Sequence, residues 1–277
     1  MTGEIRSEKI GPAPHLSVDS MGQGEVVVLL HGIGGNKRNW RDAIPALADL
    51  FHVAAWDARG WGESDDYEGP LSFDDLANDL LRLLDHFGAR RAHLVGLSMG
   101  GRIAMHFAER YHNRIASLVL CDTTRGIDGW SEEQRSAFLR SRQEPLLNGK
   151  TVSDIAISVA QTLISPHANE DVMAQMVDSM TRLHKESYLK AIETNLMTPA
   201  HSRLSEIKVP TLVIVGANDQ LTPPTEAQAI AEQIAGAELL VIPGAGHLVN
   251  IEAPDAFNAA VRRFLLANRQ IDHLSAS

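Results

Sequence analysis

The chain has 277 residues, 44% of them hydrophobic and 22% charged, with a formal net charge of −10. That length can bury a sizeable core, as one large domain or one domain carrying an insertion. The acidic balance argues against nucleic acid or anionic membrane as a partner, and the lone Cys121 rules out an intrachain disulfide and fits a reducing compartment.

The first ten residues carry Glu4, Arg6, Glu8 and Lys9 without an apolar centre, so they do not read as a signal peptide. No apolar run approaches the roughly 18 to 20 residues that span a bilayer, and the expected location is the cytoplasm. The first strand expected is 26–30, a β-branched run of the kind buried on both faces of a parallel sheet. The loop His31-Gly32-Ile33-Gly34-Gly35 follows, its glycines letting backbone N–H groups approach a substrate closely. Gly32 is therefore taken as substrate-contacting and Ile33 as a donor to an oxyanion, while His31 is expected to tie the loop down by hydrogen bonds.

A second strand at 53–56 leads into Asp57-Ala58-Arg59-Gly60-Trp61-Gly62-Glu63-Ser64. This loop lacks the Gly-Lys-Ser/Thr of a phosphate cradle, so Asp57 and Arg59 are read as fixing it through backbone bonds and an ion pair. Trp40 and Trp61 are read as packing residues. A helix is predicted over 73–87, where Leu76, Leu80, Leu83, Leu84 and Phe87 share one face, with Gly88 as its C-terminal cap.

The next strand, 92–95, runs into Gly96-Leu97-Ser98-Met99-Gly100-Gly101 and then into a helical pattern. A serine at the apex of a strand–turn–helix sits in a strained conformation, and glycine two residues to either side gives it room. Its hydroxyl stands at a helix N-terminus, where free N–H groups favour developing negative charge. Ser98 is the expected nucleophile, and the Met99 N–H is the second oxyanion donor.

After a strand at 118–121 the alternation stops. Residues 124–205 show no clear strand, and helices are plausible at 132–147, 152–163, 171–183 and 186–197, interrupted by Pro145, Gly149, Pro166 and Pro199. The segment is too long for a loop and reads as a helical cap inserted after the strand at 118–121, with 1–123 and 206–277 forming the core. It carries nine Lys and Arg against ten Asp and Glu, so it is close to neutral while the rest is strongly acidic. Such a cap would not repel a carboxylate-bearing substrate. Arg125 is the candidate to pair with that carboxylate, the other reading being a solvated hinge residue, and Trp130 either lines the acyl pocket or packs the cap onto the core.

Strands resume at 212–215 and 239–242. The first leads to Asp219 and the second to the small-residue loop that presents His247, giving the order Ser…Asp…His. Asp122, at the end of the preceding strand, is the rival acid. Nothing has metal-ligand spacing, His106 and His112 read as solvated helix-face residues, and neither metal nor organic cofactor is implied. The polar tail from Asn268 is expected to fray.

Taken together, His31-Gly32-x-Gly34, Asp57-x-Arg59-Gly60-x-Gly62-x-Ser64, Gly96-x-Ser98-x-Gly100-Gly101, Asp219 and Gly246-His247 resemble the α/β-hydrolase superfamily over roughly 26–266. The resemblance implies an α/β-hydrolase fold, a mostly parallel doubly wound sheet under a helical cap. Ser98 sets the chain apart from the dehalogenase and epoxide hydrolase branches, which place aspartate there. Gly96–Gly101, Leu118–Thr123, His184–Tyr188 and Val249–Glu252 are most similar to the 3-oxoadipate enol-lactone hydrolases. The meta-cleavage C–C hydrolases are near relatives, but they typically carry Asn before the nucleophile and Trp after the histidine, where this chain has Leu97 and Leu248. The resemblance thus implies a carboxylic ester or lactone hydrolase acting on a small molecule. A C–C hydrolase is the alternative, a non-catalytic ligand-binding protein the remote one, and a homodimer is left open.

Overall fold

The computed structural model describes residues 3–269. Eight strands form one sheet in the order β1-β2-β4-β3-β5-β6-β7-β8. They are β1 (Arg6–Ile10), β2 (Leu16–Met21), β3 (Val26–Leu30), β4 (His52–Trp56), β5 (Ala92–Leu97), β6 (Ile115–Cys121), β7 (Thr211–Gly216) and β8 (Glu238–Ile242). From β4 to β8 all neighbours pair in parallel, while β1 and β2 add an antiparallel edge. The central strands β3, β5 and β7 are buried along their whole length, as expected where helices cover both faces.

Helices α1 (Ala43–Leu47), α2 (Phe73–His86) and α3 (Met99–Arg110) precede the inserted segment. Ser72 begins α2 by accepting from the Asp75 N–H while the Asp75 carboxylate accepts from the Ser72 N–H. Gly88, at φ +64°, stops it as expected. The insertion between β6 and β7 holds α4 (Glu132–Arg142), α5 (Glu144–Leu147), α6 (Val152–Gln161), α7 (Glu170–Thr181) and α8 (Lys185–Met197). The single helix expected over 132–147 is two, because Pro145 has no N–H to continue the ladder and instead sits in the first turn of α5. Helices α9 (Pro224–Gln233), α10 (Val249–Glu252) and α11 (Pro254–Ala267) complete the order. Of the tail expected to fray, residues 270–277 lie outside the described residues.

The inserted helices lie over the carboxyl ends of the parallel strands and are bonded there. The His247 N–H donates to the Leu163 carbonyl at 2.8 Å, and Asn39 Nδ2 donates to Ser179 Oγ at 2.8 Å. Buried Arg102 on α3 donates to the carbonyls of Asn195 and Thr198 at the C-terminus of α8. Those carbonyls carry the negative end of the helix dipole and offset part of the cost of burying a guanidinium.

Candidate active site

Ser98 follows β5 directly and adopts φ +54°, ψ −117°, a left-handed conformation that costs energy in any residue with a Cβ. Its backbone is held by hydrogen bonds on both sides. Its N–H donates to the Cys121 carbonyl at 2.9 Å, its own carbonyl accepts from Thr123 Oγ1 at 2.6 Å, and the Gly101 N–H bonds the same oxygen at 2.9 Å. The flanking glycines are required by contact: a Cβ on Gly96 would lie 2.4 Å from the Gly100 carbonyl oxygen, and one on Gly100 would lie 2.1 Å from that of Leu30.

Two other strand ends bring partners to this serine. His247 Nε2 lies 2.9 Å from Ser98 Oγ, and His247 Nδ1 lies 2.8 Å from Asp219 Oδ2. A carboxylate only accepts, so the proton sits on Nδ1 and the Nε2 lone pair faces the serine hydroxyl. Asp219 is itself fixed by the N–H groups of Leu221 and Thr222 at 2.9 and 3.0 Å and by Thr222 Oγ1 at 2.7 Å. Burial alone would pull the His247 pKa down, but the charge and hydrogen bond of Asp219, with Asp122 behind it, raise it above the usual histidine value. Asp219 is pushed up by its own burial and pulled down further by His247, ending below the usual carboxylate range.

Asp122 is placed differently. Its oxygens accept from the Gly216 N–H at 2.8 Å and the Val249 N–H at 3.0 Å, so it staples the loop after β6 to β7 and to the start of α10. Complete burial and the charge of Asp219 push it up to about 7. Glu252, which has no signal in the sequence beyond its place in a family-like segment, holds the histidine loop from below. Its carboxylate accepts from the N–H groups of Gly246, Leu248 and Ser165, the last on the inserted segment.

The loop after β3 is pinned with equal care. The Gly32 carbonyl accepts from His31 Nδ1 at 2.8 Å and from the Gly35 N–H at 3.0 Å. In a planar trans peptide the N–H points opposite its carbonyl, so these two bonds aim the Ile33 N–H away from them, and it has no acceptor among the described residues. His31 Nε2 accepts from the Ala58 N–H, which fixes the neutral ring, and burial lowers its pKa to about 4. Trp61, fully buried, donates from Nε1 to the Ile33 carbonyl at 2.9 Å. As the first residue of α3, Met99 has an N–H with no acceptor within the helix. Asp57 takes the N–H groups of Lys37 and Glu63, while Arg59 forms its ion pair with Asp79 of α2.

Two cavities meet at Ser98. One runs past Gly32, Ile33, Arg142, Tyr188 and His247, and is mostly apolar otherwise. The other is lined by Ile33, Met99, Ile127, Trp130, Phe138 and Thr222. Ile33, Met99, Gly32 and Trp130 thus all reach the space around the serine. Arg125 does not. Its guanidinium and its N–H bond Glu226 of α9, so its charge is already satisfied outside both cavities. The arginine that does line the serine cavity is Arg142, and nothing in the helical pattern of 132–147 marks it.

The reading of His106 as a solvated helix-face residue also needs correction. His106 is half-buried and bonded to Asp74, and ligand atoms of His106, Glu109 and His201 lie within 4.8 Å of one another. Only the return of the chain after α8 brings His201 to α3, so sequence spacing hides the group. It lies two turns along α3 from Ser98 and does not enter the site above.

The model of the α/β hydrolase fold family matches residues 25–254, most of the chain. The chain belongs to that family. Among curated α/β hydrolases, it is 30% identical to the 2-hydroxy-6-oxononadienedioate/2-hydroxy-6-oxononatrienedioate hydrolase of Escherichia coli, with 94% of each chain covered. It is 29% identical to 3-oxoadipate enol-lactonase 2 of Acinetobacter baylyi, over 89% of this chain and 91% of the relative. A malate-bound thermophilic esterase from Thermogutta terrifontis superposes with a TM-score of 0.85 at 30% identity, covering 97% of this chain and all of that one. The relatives of this hydrolase thus include C–C bond hydrolases, enol-lactonases and esterases.

Proposed function

We propose that the protein is a serine hydrolase that cleaves a carboxylic ester or lactone through an acyl-enzyme. The observation that carries this reading is the unbroken line Ser98 Oγ, His247 Nε2, His247 Nδ1, Asp219 Oδ2, with spacings of 2.9 and 2.8 Å. His247 takes the Ser98 proton as the oxygen attacks the carbonyl, then returns it to the leaving alkoxide. Asp219 holds the imidazole in the required tautomer and stabilises its protonated form. The N–H groups of Met99 and Ile33 receive the oxyanion; fixed donors of this kind are worth roughly 3 kcal/mol each in the transition state. Water, deprotonated by His247, releases the acyl group and restores Ser98.

A fluorophosphonate probe tests the reading directly. Peptide mass spectrometry should find the adduct on Ser98 and none in Ser98→Ala; an unlabelled wild-type protein would leave a ligand-binding role.

The C–C hydrolase reading uses the same triad and is supported by the Escherichia coli relative. Leu97 and Leu248, flanking the nucleophile and the base, weigh against it. Loss of absorbance of a coloured ring-fission product, faster than turnover of any ester or lactone, would move the protein to that class.

A further inference from the structure

Arg142 is 5% exposed, at the C-terminus of α4, and lines the cavity that holds Ser98 and His247. A guanidinium buried this deeply is expected to meet a carboxylate, since desolvating an unpaired charge is costly. Arg142 meets none among the described residues. Its hydrogen bonds there go to two hydroxyls, Ser141 Oγ at 2.7 Å and Thr162 Oγ1 at 2.8 Å. Both hydroxyls spend their own protons on helix carbonyls, those of Phe138 and Val159, so they act purely as neutral acceptors. The ends of α4 and α6 add partial negative charge but no full counter-charge.

The rest of the environment leaves the guanidinium edge available. Its face stacks on the Phe138 ring at 4.5 Å, and Arg has five in-plane N–H donors, of which the two hydroxyls use two. Tyr188, 1% exposed and on α8, lines the same cavity, and its buried hydroxyl has no partner among the described residues. Burial pushes the Tyr188 hydroxyl up to about 12 against the opposing charge of Arg142, so the phenol stays protonated and can donate. The other buried arginine near the site, Arg102, is spent on the carbonyls ending α8.

We propose that Arg142, with the Tyr188 hydroxyl, binds a carboxylate carried by the substrate, so that the molecule hydrolysed is a half-ester or lactone bearing a free acid group. The proposal rests on the serine-hydrolase reading for its chemistry. A planar carboxylate accepts two in-plane donors from one guanidinium and supplies the counter-charge the cavity lacks. Apolar walls between Arg142 and Ser98 suit the methylene chain that would join the acid to the scissile carbonyl.

The test compares mono-4-nitrophenyl adipate with its neutral methyl ester, the two differing only in the distal charge. The intact enzyme should favour the charged ester about 10- to 100-fold in kcat/KM. In Arg142→Met that ratio should fall toward one, mainly through KM of the charged ester, and Arg142→Lys should restore part of it. A merely structural arginine would slow both esters alike and leave the ratio unmoved. Equal use of the two esters by the wild type, or a preference that survives in Arg142→Met, overturns the proposal. Should Arg142→Met fail to fold by circular dichroism, the wild-type ratio and the Lys variant decide. Failure of the hydrolase reading looks different: neither ester turns over and Ser98 escapes the fluorophosphonate. Calorimetric titration of the Ser98→Ala protein with adipate then decides separately, with binding weakened at least about 10-fold by Arg142→Met as the expected result and no binding as the refuting one.

Discussion

The carboxylates that hold the loops around Ser98 and the two polar groups that the inserted helices bring to the cavity are satisfied to different degrees. Around Ser98, the carboxylates of Asp57, Asp122, Asp219 and Glu252 each accept two or more hydrogen bonds, and even the Gly32 carbonyl takes two. On the inserted side, among the described residues, Arg142 meets no counter-charge and the Tyr188 hydroxyl no partner. A saturated network holds one geometry, which is what a proton relay and a pair of oxyanion donors need. Unspent donors wait for a ligand. In the proposal made above, the sheet side of the cavity supplies the reaction and the helical side the choice of substrate.

The sharpest way to break this comparison is on the sheet side. Ser98→Ala should lower kcat by roughly 10⁴-fold or more while leaving the ligand preference of the helical side intact. Near-normal turnover would remove Ser98 as nucleophile. Next in size is the pair of acids. Asp219→Asn should cost about 10³- to 10⁴-fold in kcat, because the amide no longer selects the working tautomer of His247. Asp122→Asn should stay within about 10-fold in kcat and instead lower stability by roughly 1–3 kcal/mol, since an amide cannot accept from both the Gly216 and Val249 N–H groups with its two terminal atoms. The reverse pattern would make Asp122 the catalytic acid. The Arg142 series comes third, with its effect confined to the ratio between charged and neutral esters.

The one effect that leaves activity aside is that of pH on stability, and it belongs to His31. The folded chain holds this ring neutral, with a pKa lowered to about 4 by burial, against 6.5 for an ordinary histidine. Between those values the unfolded chain binds a proton that the folded chain does not. The contribution of His31 is therefore complete above pH 6.5 and is lost as pH falls toward 4, by about 3 kcal/mol across the window. Thermal melts over that range should drop more steeply for the wild type than for His31→Asn. Parallel curves would mean that other groups set the acid limit.

Much of this molecule is legible in its sequence because its signals are local. Each parallel strand between β3 and β8 is a short apolar run, and every member of the triad sits in a loop immediately after one of them. The antiparallel edge escapes such a reading because four of the five residues of β1 are exposed, so it carries no apolar run to notice. The choice of Arg125 as the carboxylate partner failed for a related reason. Sequence shows that a cation stands near the hinge of the insertion, but not that Glu226, about a hundred residues on, already neutralises it.

The sequence by itself determined the fold class, and it set Ser98, Asp219 and His247 each in a turn or loop just after a strand, since strained turns and buried strands impose their residue types wherever they occur. Which acid faces His247, which loop carbonyl is pinned and which arginine is left without a counter-charge were decided only by the tertiary structure. Those are questions of what lies opposite a group in space, and spacing along the chain holds no record of it.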